Sequence, residues 1–368
     1  MLGTDPELDV QSGADDRPCC FIAPPDLLSR MVESDDADKR EAALRTLAAS
    51  ASVRARRSLV GQVMRELDVD VAALRAAPPS DERRTVYDVE HKGNTTLPGR
   101  LVRGEGSPAT GDDAVNDAYD GADQVYDFYN DILGRDSIDD KGMDLVSSVH
   151  YGVGFDNAFW DGGQMVYGDG SGHLFVEGAL TKAIDVIGHE MAHGVTQHTA
   201  GLKYGGQPGA LNESISDVFG SLVKQYKLGQ SAEEADWLIG AGALVPQLGK
   251  ALRSMREPGT AFKGDPQPGH MDQYKDLPND NDPRNDNGGV HINSGIPNRA
   301  FYLAATEIGG RAWEKAGRIW YAALTERLQP DSDFNAAAEA TVGVAAELFK
   351  GGNEPKVVEE AWRQVGVG

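Results

Sequence analysis

The sequence has very little cysteine: only Cys19 and Cys20, adjacent in the chain, too few and too close for a disulfide framework, so cysteine usage says nothing about compartment. Apolar runs of about 18 residues are missing, so no membrane-spanning helix is expected. The opening residues, MLGTDPELDVQSGADDRP, are acidic and polar where a secretory signal is basic and then apolar, so no ordinary export signal is expected either. Basic charge is the minority: 35 Lys and Arg against 58 Asp and Glu give a net charge of −23. With no long basic run, this argues against nucleic acid and against anionic membranes as partners. Internal repeats are lacking as well. What remains is a globular composition, 40% hydrophobic over 368 residues, enough for two ordinary domains with real cores.

Residues 1 to about 18 read as an acidic tail. CCFIAPPDLLSRMV leads into a helix, and after the polar ESDDADKRE a second helical pattern carries Leu44, Leu47, Val53, Leu59, Val63, Met64 and Leu67. A linker follows at Ala76-Ala77-Pro78-Pro79-Ser80-Asp81. From Thr85 the short apolar runs TVYDVEH, LPGRLVRGEG and LVSSVHYGVGF read as strands and turns, interrupted by one helix over about Asp113–Leu133. GEGSPATG and YGDGSGH lack the lysine and the setting of a phosphate loop and read as turns. Later segments read as helices: ALNESISDVFGSLVKQYKL, EEADWLIGAGAL, IPNRAFYLAATEI, AWEKAGRIWYAALTERL, FNAAAEATVGVAAELF and PKVVEEAWRQV. Among them Glu257–Gly289 is long, aperiodic and rich in Pro, Gly, Asp and Asn, as functional loops often are.

The stretch AIDVIGHEMAHGVTQH, 183–198, organises the chain. On a helix, His189 and His193 are turned by only about 40° from one another, so both imidazoles face one way and form half of a zinc site. Glu190 projects into the same space and is placed to serve a water as a base. The competing reading is a buried structural helix with satisfied histidines. Glu213 is the best third ligand, and Asp217, one turn on, is placed to accept the other N–H of a ligating histidine. Two acids near a helix N-terminus would be the bland account of that pair. Thr196 stands where a metzincin needs glycine, and His198 falls about half a turn away from the pair.

Five ordered strings, DNAFWDGGQMVYGDG (156–170), HEMAHGVTQHTAGLKY (189–204), ALNESISDVFG (210–220), ALRSM (251–255) and DNGGVHINSG (286–295), resemble the thermolysin family of zinc metallopeptidases. The resemblance covers roughly Thr85 to the C-terminus. It implies an α+β fold with a β-rich N-terminal lobe, a helical C-terminal lobe, and the HExxH helix at the floor of the cleft between them. It implies one zinc held by His189, His193 and Glu213, with Asp217 bonded to a ligand histidine and Glu190 as general base. His291 matches the histidine that stabilises the tetrahedral intermediate, Asp286 the acid that orients it, and Tyr204 a second donor. Asn157 and Ala158 match groups that hold the peptide at the cleft edge, and Arg253 matches the arginine on the carbonyl beyond the scissile bond. The implied activity is hydrolysis of protein or peptide substrates before apolar residues, with Val186 and Leu252 as pocket walls.

Two departures from the family pattern stand out. Asp185 matches a calcium ligand, but Lys224 and Lys250 stand where other acidic ligands align, so the double Ca2+ site is expected to be absent, with weak calcium binding left open at DNDPRNDNG (280–288). The front is short, and IAPPDLLSRM resembles the pro-segment of protealysin-like precursors. The expected organisation is therefore 1–75 acidic tail and inhibitory propeptide, 76–200 N-terminal catalytic lobe, and 201–368 C-terminal lobe, a monomeric zymogen that cleaves itself within 50–77. Cys19 and Cys20 lie just before that motif, where a thiolate on zinc would silence the enzyme, but the favoured expectation is a pro-segment that blocks the cleft sterically, with inert cysteines. Family precedent implies secretion by an unusual route. Two rival readings remain: a cytoplasmic processing peptidase restrained by a dedicated protein inhibitor, and a catalytically silent, metal-stabilised binding protein.

Overall fold

The computed structural model describes residues 20–66, 83–93, 96–280 and 282–368, for 57, 58 and 60–66 the backbone only. The acidic tail, Cys19, the 76–81 linker and the 67–77 part of the expected cleavage span lie outside these residues. Six strands form one mixed sheet in the order β1-β5-β6-β4-β2-β3: β1 Cys20–Phe21, β2 Arg84–Asp88, β3 Arg100–Arg103, β4 Leu145–Val149, β5 Ala158–Trp160 and β6 Met165–Tyr167. β2, β4 and β6 run parallel, and the outer pairs are antiparallel. The β5–β6 hairpin is closed by local chemistry: Asp161 Oδ1 accepts the Gly163 and Gln164 N–H groups at 2.9 and 3.0 Å, and Gly162 takes φ +99°.

The helices are α1 Pro25–Val32, α2 Ala37–Glu66, α3 Asp113–Asp127, the single turn α4 Ala179–Lys182, α5 Ile184–Gln197 and α6 Gly206–Leu228. They continue with α7 Asp286–Asn293, α8 Gly295–Ile308, α9 Ala316–Glu326, α10 Phe334–Leu348 and α11 Glu354–Gln364. None of the described helices is long and apolar enough to cross a membrane. Asp112 caps α3, its Oδ1 accepting the Ala114 and Val115 N–H groups at 2.9 and 3.4 Å. Proline at the start of α1 and of α11 fits positions whose N–H has no helical partner.

One hydrophobic core runs from Val86 and Met165 in the sheet, through Val186, Ile187 and Met191 of α5, to Trp320 and Trp362 in the C-terminal helices. Ile22, Ala23, Leu27, Leu28, Ala42 and Ala43 belong to the same core, and Val53 joins Phe21, Phe155 and Phe159 in a second cluster. Burial of Phe21, Ile22, Leu27, Leu28 and Val53, each contributing about 1.5–3 kcal/mol, with the smaller alanines beside them, fixes the 20–53 segment on the remainder.

α5 and α6 approach closely because glycines face each other. A Cβ on Gly188 would sit 3.1 Å from Gly220 Cα, and one on Gly220 would meet the Asp185 carbonyl oxygen at 2.4 Å. This contact sets α6 against the face of α5 that carries the two histidines.

Three sequence expectations change. EEADWLIGAGAL is not helical: Trp237, Gly240 and Gly242 take φ of +57°, +63° and +73°, and Leu238–Ile239 forms β7, paired with β8 Arg253–Ser254. Trp237 is wholly buried and its Nε1 donates to the Ala232 carbonyl at 2.9 Å, a local turn that outweighs helical spacing. The helix expected from Ala210 begins at Gly206. The 113–133 helix ends in a π turn at Phe128–Ile132.

Candidate active site

α5 brings His189, Glu190 and His193 to one buried point, with exposures of 0, 0 and 3%. His189 Nδ1 lies 2.7 Å from Asp217 Oδ1 and His193 Nδ1 lies 2.8 Å from Asn212 Oδ1. The Asn212 amide is oriented by its Nδ2 donating to the Leu202 carbonyl at 3.2 Å, so Oδ1 is the acceptor and His193 carries its proton on Nδ1. Both Nε2 atoms consequently face inward, 3.1 Å apart.

Glu213, on α6, completes this donor set. Its Oε2 is 3.4 Å from His189 Nε2 and its Oε1 is 3.5 Å from His193 Nε2. Oε2 is buried with no hydrogen-bond partner, which a native site rarely tolerates. Burial opposes charge on His189, yet Asp217 and Glu213 outweigh it and lift the imidazole to about 9. Burial, aided by the charge of His189, holds His193 near 3. Glu213 overcomes the opposing effect of burial through His291, His193 and His189 and stays ionised well below the usual carboxylate range. Two inward imidazole nitrogens and an orphaned carboxylate fit a divalent cation, which would satisfy all three at once.

Glu190 Oε2 accepts the Trp160 N–H at 3.0 Å, while Oε1 is buried with no hydrogen-bond partner. Burial pushes its carboxyl up to about 8. Across the site, His291 Nδ1 is 2.6 Å from Asp286 Oδ1, and Asp286 Oδ2 accepts the His291 N–H at 2.7 Å. Asp286 takes φ +50° at the head of α7, in a left-handed run that continues through Asn287, Gly288 and Gly289. Tyr204 Oη lies 3.3 Å from His291 Nε2, and its hydroxyl donates to Glu213 Oε1. Arg253 meets Asp217 through a two-pronged pair, Nε to Oδ2 at 2.7 Å and Nη2 to Oδ1 at 2.8 Å.

A stretch of the chain itself lies in this cleft. β1 adds to the edge of β5 in antiparallel register, Cys20 opposite Trp160 and Phe21 opposite Phe159. The Ile22 N–H donates to the Ala158 carbonyl at 3.2 Å, and the Ala23 N–H to Asn157 Oδ1 at 2.9 Å. His291 Nε2 donates to the Phe21 carbonyl at 2.9 Å and Arg253 Nη1 to the Ile22 carbonyl at 3.1 Å. The ligand atom of Cys20 lies within 4.8 Å of those of His193 and Glu213.

Residues 74–197 match the family model for the thermolysin metallopeptidase catalytic domain, and 200–367 match that for its alpha-helical domain. The chain belongs to the thermolysin family of metallopeptidases. It is 45% identical over 358 residues to an extracellular metalloprotease of Pectobacterium carotovorum subsp. carotovorum, covering 95% of this chain and 97% of that one. Protease PrtS of Photorhabdus sp. (strain Az29) is 50% identical over 291 residues, 77% of this chain and 76% of its own. Among solved structures, the precursor of protealysin, a metalloproteinase from Serratia proteamaculans, aligns with a TM-score of 0.81 and 45% identity over 95% of this chain and all of that one. Bacillolysin of Bacillus amyloliquefaciens matches over only 51% of its length.

The thermolysin-like fold expected from sequence is the fold observed, a mixed sheet followed by a helical domain. In this metalloendopeptidase all eleven site residues expected from sequence meet in one cleft: His189, Glu190, His193, Tyr204, Glu213, Asp217, Arg253, Asp286, His291, Asn157 and Ala158. His198 sits exposed at the C-cap of α5, away from it. Sequence reasoning missed Asn212 and Ser216, whose Oγ is 3.0 Å from His193 Nδ1, and Asn298, whose Nδ2 donates to Asp217 Oδ2 at 2.8 Å. The available signal for Asn212 and Ser216 was their place beside Glu213 on one helix. Cys20 was visible only as one of two equivalent cysteines.

Proposed function

We propose that the chain is a zinc-dependent endopeptidase made as a latent, self-processing precursor, cleaving before apolar residues. The observation that carries this reading is residues 20–23 lying in substrate register over the donor set, with the Phe21 carbonyl on His291 and the Ile22 N–H on Ala158. His189, His193 and Glu213 would hold the zinc, which when bound polarises the scissile carbonyl and acidifies water. Glu190 takes the proton from the attacking water and later delivers it to the leaving amine. His291 and Tyr204 donate where negative charge develops on the carbonyl oxygen. Asn157 and Ala158 align the substrate as an added strand, and Arg253, braced by Asp217, holds the carbonyl one residue beyond the scissile bond. Ile22 occupies the first position after that bond and is fully buried, in keeping with an apolar preference and with Val186 and Leu252, also fully buried, as walls.

Latency follows from the same geometry. The docked strand excludes substrate, and the Cys20 thiol, beside His193 and Glu213, is placed to act as a further metal donor in the precursor. Self-cleavage requires extended backbone, so within the 50–77 span the helical part up to Glu66 is disfavoured and the bond falls after it. Lys224 Nζ lies 3.2 Å from Asp185 Oδ2 and 2.9 Å from Asp236 Oδ2, an ammonium where a cation would otherwise be needed, which supports the absence of the double calcium site. Secretion is the proposed destination, in line with the name of the Pectobacterium relative.

The test compares purified wild type with Glu190→Ala for zinc content, hydrolysis of a quenched peptide, and self-cleavage by intact-mass measurement. Equal zinc with hydrolysis and maturation only in wild type is the expected result, the variant losing about 100-fold or more. Hydrolysis by neither protein after the first 75 residues are trimmed would overturn the reading.

A further inference from the structure

Apart from the catalytic donors, the described residues hold one other group of potential metal ligands: His91, His150 and Asp169 place one ligand atom each within 4.8 Å of one another. Their positions follow from the sheet. β2, β4 and β6 are neighbouring parallel strands, and each continues past its C-terminal end into one of these residues, His150 directly after β4, Asp169 two positions after β6 and His91 three positions after β2. Side chains from strand ends of a parallel set converge, which is why such edges host ligands in many folds.

His150 Nδ1 lies 2.8 Å from Asp169 Oδ1, and His91 Nδ1 lies 3.3 Å from Asp169 Oδ2, so two imidazoles and one carboxylate face a common point. The other His150 nitrogen, Nε2, is 2.8 Å from Asp112 Oδ2. Asp112 is itself fixed, because its second oxygen caps α3. A histidine whose outer N–H is held by an anchored carboxylate, leaving its other nitrogen toward the donor cluster, is the arrangement ligating histidines adopt. Both histidines also take left-handed backbone, φ +57° at each, and the His91 N–H donates to the His150 carbonyl at 2.8 Å, tying the two loops together.

We propose that His91, His150 and Asp169, with Asp112 as the orienting carboxylate, form a second divalent transition-metal site on the N-terminal lobe. Two imidazoles with one carboxylate suit zinc over calcium or magnesium, which prefer all-oxygen sets. Three protein donors at a partly exposed position leave room for water. The site lies apart from the catalytic donors and stands independently of the peptidase reading.

The experiment is equilibrium dialysis of the tag-free full-length chain against Zn2+, with metal per chain read by mass spectrometry of the digested protein. The Glu190→Gln variant serves as the background, so that self-cleavage does not intervene. His91→Asn is the informative substitution, since asparagine accepts left-handed backbone and the side chain it replaces is largely exposed. The expected result is one zinc per chain beyond the catalytic equivalent, lost in His91→Asn and in Asp169→Asn, and bound about 10–100-fold more weakly in Asp112→Asn. Failure of the Glu190→Gln parent to take up the additional zinc overturns the proposal. So does additional zinc that persists in both His91→Asn and Asp169→Asn, because it then lies elsewhere.

Discussion

At the scale of single residues, the site separates groups that hold charge from groups that wait for it. His291 is held from behind by both oxygens of Asp286, so its Nε2 is fixed on the carbonyl that here belongs to Phe21. Burial opposes charge on this imidazole, but Glu213 and Asp286 outweigh it and raise it to about 9, so near neutral pH it is a charged donor. On the proposed mechanism this donor faces the oxygen on which charge develops, so it acts in the transition state more than in the ground state. His291→Ala should therefore lower kcat of the trimmed enzyme about 100–1000-fold with a small change in KM. Steady-state kinetics on a quenched peptide check this, and a loss confined to KM would assign His291 to substrate binding instead. Glu190 is the complementary case, a carboxyl that burial pushes up to about 8, with one oxygen on Trp160 and the other without a hydrogen-bond partner.

At the scale of elements, the site depends on how closely α5 and α6 approach, since the histidines lie on one and Glu213 and Asp217 on the other. Gly220→Ala would put a methyl 2.4 Å from the Asp185 carbonyl oxygen and 3.1 Å from His189 N, so the helices must separate. The expected cost is about 1–3 kcal/mol in stability, with zinc affinity falling alongside it. Gly343→Ala, in α10, meets nothing within 4 Å and should instead stabilise by about 0.5–1 kcal/mol, because alanine loses less entropy in a helix. Thermal melts and zinc content of the two variants measure the contrast. His150 links three strand ends to the cap of α3 and adds a pH term. Its pKa is raised from 6.5 to about 9, so the stability it adds is fully present below pH 6.5 and is lost as pH rises through about 9. In chelator-treated protein the melting temperature should fall over that window, and the fall should shrink in His150→Gln. The sequence carried the helices and the HExxH donors well, because 3.6-residue spacing and i,i+4 pairing are local. It did not carry β1, a two-residue strand that exists only because β5 offers an edge, nor the Asp217–Arg253 pair, whose partners are 36 positions apart. EEADWLIGAGAL misled because its spacing is helical while Trp237 and its glycines take left-handed backbone.

At the scale of the whole molecule, residues 20–28 are part of the folded body, and 20–23 also occupy its cleft. Leu27, Leu28, Ala42 and Ala43 are buried in the main core as well, so the docked segment is held over a wide area beyond the four cleft residues. On the proposed reading, a strand held in substrate register is open to cleavage at Phe21–Ile22, and the Cys20 thiol offers a physical protection against it, since its sulfur lies within 4.8 Å of ligand atoms of His193 and Glu213, which would hold the metal. Cys20→Ser removes the soft donor while keeping nearly the same volume, so the strand should stay docked and only the metal contact should be lost. The precursor should then self-process faster than wild type at equal zinc content, and intact-mass time courses resolve the difference. In wild type, chelation should speed reaction of the thiol with a disulfide reagent, because thiolate–metal bonding protects it. If Cys20→Ser precursor processes at the wild-type rate, and chelation leaves thiol reactivity unchanged, latency rests on steric occupation of the cleft alone.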